Sequence, residues 1–326
     1  MRTFGKWLGR VLLMIVVLGV GLWVVGPYEP VDVNTKFDQT QLSDGVQAYF
    51  DQSEAAFPDI RPDSNKRVIW ANEPEVKTPL SIVYFHGFSA SSEEIRPVPD
   101  NVAAALGANL VYTRFQGHGR DGDAMAEATA SNWMNDAVEA LAVARAVGDK
   151  VIILTTSTGG TIAALALHEP ELQNDVAGVV FVSPNFGINN PAAGVLTLPA
   201  ARYWVPLVAG ETRKFDPLND GQAAHWTTTY PTVATLPMAA AVKAAVARDY
   251  SEVRVPALFH YAQNDRVVVA QATDRIAAQW GGPVTIVRPQ LDDGDDPFFH
   301  VIAGDIMSPG QTARSSAAIF EWAKRL

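Results

Sequence analysis

An α/β fold built on a mainly parallel sheet is predicted by three observations. Seven short, continuously apolar runs rich in β-formers are spread along the chain, at 68–70, 82–85, 110–112, 151–154, 179–182, 257–259 and 284–287. Helical patterns separate most of them, and one run turns directly into a helix at a serine among small residues. Runs without polar alternation mark strands buried on both faces, and helices between strands imply parallel pairing with helices on both faces of the sheet.

Taken in order, the N-terminus comes first: Arg2, Lys6 and Arg10 precede an uncharged apolar run over 11–26. Counted from Trp7 the run meets the roughly 17–25 residues a membrane-spanning helix needs. Gly26-Pro27-Tyr28-Glu29-Pro30 offers no small-x-small cleavage pattern, so residues 1–28 are expected to be an uncleaved anchor rather than a signal peptide. Positive charge before the run places the N-terminus inside and the remainder outside the cytoplasm. Residues 29–65, with Pro30, Pro58 and Pro62, read as a linker carrying a short amphipathic helix over 41–52.

Residues 66–326 form the expected globular domain. Within it Ser91-x-x-Glu94 has the form of a capping box, and Met134, Val138, Leu141 and Ala142 recur at helical spacing before the stop signal Gly148. The stretch between Val182 and Ala257 is too long for an ordinary connection and is rich in aromatic residues, including Tyr203, Trp204, Phe215, Trp226 and Tyr230. It reads as a cap, about 187–250, inserted over the C-terminal edge of the sheet.

Composition bounds the chemistry. With 48% hydrophobic and 18% charged residues the chain can bury a full core. A net charge of -10 works against nucleic acid and anionic headgroups as partners. The absence of cysteine removes thiol nucleophiles, disulfides and cysteine-based zinc sites.

The run 151–154 leads into Thr155-Thr156-Ser157-Thr158-Gly159-Gly160 and then a helical pattern. A serine at the apex of such a strand-turn-helix is lifted above the sheet, and small neighbours let the chain double back. Thr155 stands where the usual G-x-S-x-G pattern has its first glycine; the alternative is a plain turn with Ser157 as N-cap.

A serine nucleophile needs a base, an orienting carboxylate and N–H donors for the oxyanion. Among six histidines only His300 follows the final strand. His86 and His118 sit in glycine turns, His168 on a helix, His225 in the cap, and His260 inside a strand as a packed core residue. The loop Ser183-Pro184-Asn185-Phe186 has no acid, whereas Gln263-Asn264-Asp265-Arg266 supplies Asp265 as the orienting group. Asp292, Asp293, Asp295 and Asp296 read as a solvated turn; they lack the spacing of an EF-hand calcium loop. The oxyanion donors expected are the backbone N–H groups of Phe88, in His86-Gly87-Phe88, and of Thr158. Gly117-His118-Gly119-Arg120-Asp121-Gly122 matches a dinucleotide fingerprint literally, but no helix is expected to open at once after it.

The order Ser157, Asp265, His300, with the His86-Gly87-Phe88 loop and the Gly117-His118-Gly119 turn, resembles the α/β-hydrolase superfamily, particularly its lysophospholipase and monoacylglycerol-lipase-like esterases. The resemblance covers 66–326. It implies an α/β-hydrolase fold with an eight-stranded, mostly parallel sheet, a cap after the sixth strand, and a two-step acyl-enzyme mechanism without cofactor. Serine at the elbow argues against the epoxide hydrolase and dehalogenase members, which use a carboxylate. The expected substrate is a small-molecule ester or lipid-like ester of small to medium acyl chain, and the N-terminal segment makes a membrane the expected partner. Two alternatives stand beside it. One is a serine aminopeptidase-like peptidase of the same fold, for which Glu211, Asp216 or Asp220 could hold a free amine. The other is a non-catalytic binding module.

Overall fold

The computed structural model describes residues 2–326, with side chains from Phe4 onward. In chain order the elements are α1 (Arg2–Val25), α2 (Val46–Glu54), β1 (Arg67–Ile69), β2 (Thr78–Phe85), α3 (Val98–Leu106), β3 (Asn109–Tyr112), α4 (Gly122–Glu127), α5 (Ala130–Val147), β4 (Gly148–Thr156), α6 (Thr158–His168) and β5 (Val176–Val182). Then follow α7 (Ala201–Ala209), β6 (Thr212–Lys214), α8 (Asp220–His225), β7 (Thr229–Pro231), α9 (Thr235–Val246), β8 (Ala257–His260), α10 (Ala270–Gln279), β9 (Val284–Val287) and α11 (Thr312–Ala323).

The main sheet has the order β1-β3-β2-β4-β5-β8-β9, parallel throughout except for β1, which pairs antiparallel with β3. Each of the seven apolar runs lies in or overlaps one strand. The eight strands implied by the resemblance are therefore corrected to seven among the described residues. Upstream of β1, Pro58 and Pro62 interrupt the chain and Ser64 N–H closes a turn on Arg61 carbonyl, so the segment leading into β1 adds no strand to the sheet.

Alternation along the strands divides the core. Val83, Val111, Ile153 and Val179 face α5, α6, α9 and α10, while Ile82, Leu110, Ile152 and Val180 face α3 and α11. Both sets are essentially without solvent exposure, which is why the runs carry no polar alternation.

Residues 29–65, expected to be a linker, pack onto this core. Val33, Val46 and Phe50 are buried in it, and Glu54 on α2 forms a partly buried pair with Arg114 at 2.8 Å. The helix expected over 41–52 is a short 3-10 turn, Gln39–Leu42, followed by α2. In the inserted segment, α9 packs on α6 and buries Ala241 and Ala245 in the main core. The cover over the sheet is thus made by residues up to about 234, and α9 belongs to the helical layer. From Phe4 onward helix α1 is exposed almost throughout; Phe4–Val25 is a 22-residue span containing an 18-residue window of mean hydropathy 2.4, long and apolar enough to cross a membrane. Its exit is fixed to the inserted segment: Ala200 N–H donates to Pro27 carbonyl at 2.8 Å, and Arg202 pairs with Glu29 at 2.5 Å.

Candidate active site

Parallel strands present their C-terminal ends along one edge, so the loops after β2, β4, β8 and β9 meet there. Ser157 stands at the turn between β4 and α6 with φ 51° and ψ -117°, a conformation that L-residues rarely adopt. The strain is held by bonds on both sides. Ser157 N–H donates to Val182 carbonyl at 3.0 Å, and its carbonyl accepts from Gly160 and Asn185 N–H, each at 2.9 Å. Its side chain makes no N-cap bond to α6, which disposes of the plain-turn alternative. The hydroxyl points to His300 instead, with Oγ 3.0 Å from Nε2.

Tight packing explains the small residues. A Cβ on Gly159 would lie 2.1 Å from the carbonyl oxygen of Phe85, so α6 approaches β2 more closely than any side chain permits. Gly159→Ala is expected to destabilise the fold by about 3 kcal/mol or more, read as a lowered urea midpoint. Thr155, the departure from the usual pattern, is fully buried, and its hydroxyl donates to Val180 carbonyl at 2.9 Å. The extra polar group is satisfied within the sheet, so a β-branched residue is accommodated there.

His300 Nδ1 lies 2.8 Å from Asp265 Oδ2. The other oxygen, Oδ1, accepts the N–H groups of Val267 and Val268 at 2.7 and 2.9 Å, which fixes the carboxylate's orientation. Burial alone would lower the His300 pKa; the charge and hydrogen bond of Asp265, with Glu94 and Asp296 nearby, outweigh it and hold it above the ordinary value. The structure therefore brings Ser157, His300 and Asp265 into one hydrogen-bonded row.

Phe88 and Thr158, whose N–H groups are the predicted donors, line the same cavity as Ser157. Among the described residues Phe88 N–H makes no hydrogen bond. Thr158 N–H is the first of α6, where a helix supplies no carbonyl partner. The remaining histidines fall elsewhere. His86 Nε2 accepts from Phe115 N–H at 3.1 Å beneath the loop. His260 is buried in β8, 3.0 Å from Ser315 Oγ, and burial pushes its pKa down to about 4.

Three expectations are corrected. Asp295 and Asp296 do not belong to a solvated turn: both are buried, and Asp296 accepts the N–H groups of Phe298, His300 and Val301, so it shapes the loop that carries the imidazole. Ser91 and Glu94 do not cap a helix, because the chain there forms turns and α3 begins only at Val98. The Glu94 carboxylate turns inward and accepts Gly87 N–H at 2.6 Å. Finally, a helix does open at Gly122, but α4 is only six residues long, and a Cβ on Gly122 would lie 2.2 Å from Thr229 carbonyl. The inserted segment already fills the space beside that glycine.

Above Ser157 and His300 lies a cavity of about 450 Å³. Its walls are mostly apolar, with Leu196, Val205, Phe215, Trp226 and Met238 from the inserted segment, α9 included, facing Phe88. Of the charged residues in the inserted segment, Arg213 reaches the cavity, whereas Glu211, Asp216 and Asp220 do not line it.

Known proteins can be set against this geometry. No curated protein matches the chain. Among solved structures, the report of LipS and LipT, two metagenome-derived lipolytic enzymes, includes a chain that superposes with a TM-score of 0.65 at 17% identity, covering 82% of this chain and 100% of that one. A soluble variant of monoglyceride lipase from Saccharomyces cerevisiae gives 0.60 at 12% identity, over 80% and 90% of the two chains. Monoacylglycerol lipase from Paleococcus ferrophilus gives 0.56 at 14%, over 79% and 97%. At such identities these likenesses establish the α/β-hydrolase fold. The family described as Hydrolase_4, serine aminopeptidase, S33, matches residues 77–287, more than half of the chain. By that match, and with the fold of its neighbours, this chain belongs to the Hydrolase_4 family of α/β-hydrolases.

Proposed function

We propose that this chain is a serine esterase that cleaves carboxylic esters of small to medium, apolar acyl chains. The observation that carries the reading is the row Ser157–His300–Asp265 opening into an apolar cavity. His300 Nε2 takes the Ser157 proton as Oγ attacks the ester carbonyl, and the oxyanion is held by the N–H groups of Phe88 and Thr158. Collapse releases the alcohol, which takes the proton from His300. Water then attacks the acyl-enzyme with His300 again as base, releasing the acid and restoring Ser157.

The family's description names aminopeptidases, and such an enzyme needs an anionic group for the substrate's free amine. Arg213 on the cavity wall would repel one, Asp296 accepts the N–H groups of Phe298, His300 and Val301, and Glu94 Oε2 accepts Gly87 N–H and the Tyr84 hydroxyl. The lipolytic enzymes and monoglyceride lipases of similar fold point the same way.

The chain is anchored by α1 with its catalytic domain outside the cytoplasm. Support comes from the span's length and hydropathy and from the charges at Arg2, Lys6 and Arg10. In addition α7, beside the exit of α1, turns Tyr203, Leu207 and Val208 outward with at least 71% of each exposed. Such an apolar face suits a lipid surface and an ester dissolved in it.

One experiment tests these points together. A fluorophosphonate probe should label the protein in the membrane fraction after carbonate washing, and p-nitrophenyl esters should be cleaved at least about 100-fold faster than aminoacyl arylamides. Faster arylamide cleavage would assign the peptidase instead; absence of labelling removes the esterase reading, and label found only in the soluble fraction removes the anchor.

A further inference from the structure

Glu94 is only 2% exposed, yet it lines the cavity above Ser157. Besides the Gly87 N–H, its Oε2 accepts the Tyr84 hydroxyl at 3.1 Å, and that hydroxyl lies 2.9 Å from Thr156 Oγ1. A Cβ on Gly87 would sit 2.6 Å from Glu94 Oε1. Glycine at 87 is therefore what lets the carboxyl group press against this loop.

Resting on the serine-hydrolase reading, we propose that Glu94 is a positioning residue that sets the two halves of the oxyanion hole against each other. One bond fixes Gly87, whose neighbour Phe88 carries the first donor. The other runs through Tyr84 to Thr156, next to Ser157 and two residues before the second donor, Thr158. The donors come from different loops, after β2 and after β4, and nothing in sheet pairing alone sets their separation beyond the strand ends. A buried acceptor shared between them does so, and oxyanion stabilisation requires such precision. The site is costly in isolation: burial pushes the Glu94 carboxyl up to about 7 despite the opposing Gly87 bond. A group used only for packing could be apolar without loss.

The test compares Glu94→Gln, Glu94→Leu, Tyr84→Phe and Ser157→Ala in the full chain, each checked by thermal melting. Glu94→Gln keeps an acceptor for Gly87 N–H and should hold kcat on p-nitrophenyl acetate within about threefold. Glu94→Leu should lower kcat by about 10–100-fold with KM little changed, and weaken phenylboronic acid, a mimic of the tetrahedral state, by a similar factor. A folded Glu94→Leu protein with wild-type kcat, or with its loss confined to KM, overturns the assignment. If Glu94→Leu does not fold, Tyr84→Phe decides: kcat reduced by about 3–10-fold at constant KM supports the role, and unchanged kcat refutes it. Ser157→Ala separates the layers, since full activity there removes the serine-hydrolase reading itself, whereas an inactive Ser157→Ala beside a fully active Glu94→Leu removes only the role of Glu94.

Discussion

Ser157→Ala is expected to reduce kcat for p-nitrophenyl butyrate by about 10⁶-fold, a rise of roughly 8 kcal/mol in the barrier. Loss of the oxygen removes covalent attack altogether, leaving only the donors of the oxyanion hole and the fit of the cavity to act on direct attack by water. Stability should barely fall, because the hydrogen bonds that hold residue 157 in its strained conformation are backbone bonds to Val182, Gly160 and Asn185. Stopped-flow assay beside a thermal melt separates the two quantities. A variant that melts like the parent and still hydrolyses ester at more than a hundredth of its rate would require another nucleophile.

Asp265→Asn is expected to lower kcat by about 10⁴-fold without loss of the fold. The reason lies in the use of both carboxylate oxygens. Oδ1 accepts from Val267 and Val268 N–H, so the amide oxygen of asparagine must take that place. Its NH₂ is then aimed at His300 Nδ1, which must become the acceptor. The ring proton moves to Nε2, and Nε2 can no longer receive the proton of Ser157. The pH dependence should change in the same variant. His300 acts as base only when neutral, so wild-type kcat/KM should rise with pH through a value above the ordinary histidine value of about 6.5. Without the Asp265 charge that limb should move to lower pH. Linkage has the same origin: a raised folded-state pKa adds stability below the unfolded value and loses it as pH rises through the folded one. A pH-rate profile and a pH series of melting curves on both proteins would check the two shifts.

Much of this site was legible before any coordinates. Strands buried on both faces are written as unbroken apolar runs, and the runs in the five inner strands are buried in this way; the runs at 68–70 and 284–287 fall at the two edges, where Ile69 of β1 and Val284 and Ile286 of β9 are exposed. Loops after parallel strands converge on one edge, so the position of Asp265 and His300 after β8 and β9 was enough to bring them to Ser157. What stayed hidden depends on contacts between distant segments. Ser91-x-x-Glu94 has the spacing of a helix cap, and only the meeting of β2 with β4 turns Glu94 toward Gly87 and Tyr84. Asp296 looked like one of several surface acids because its three backbone partners lie in the loop it folds around itself. The packing of Val33 and Phe50 was masked by the prolines and polar residues around them. The eighth strand came from the resemblance, and no run of residues stood behind it.

The bonds from Ala200 to Pro27 and from Arg202 to Glu29 have a mechanical consequence. They lie at the start of α7, whose Val205 forms part of the roof over the reaction chamber. Any hinge motion of that roof must therefore drag the root of the N-terminal helix with it, and any tilt of that helix must bear on the roof. A tilt of α1 and a shift of α7 would load the same two bonds.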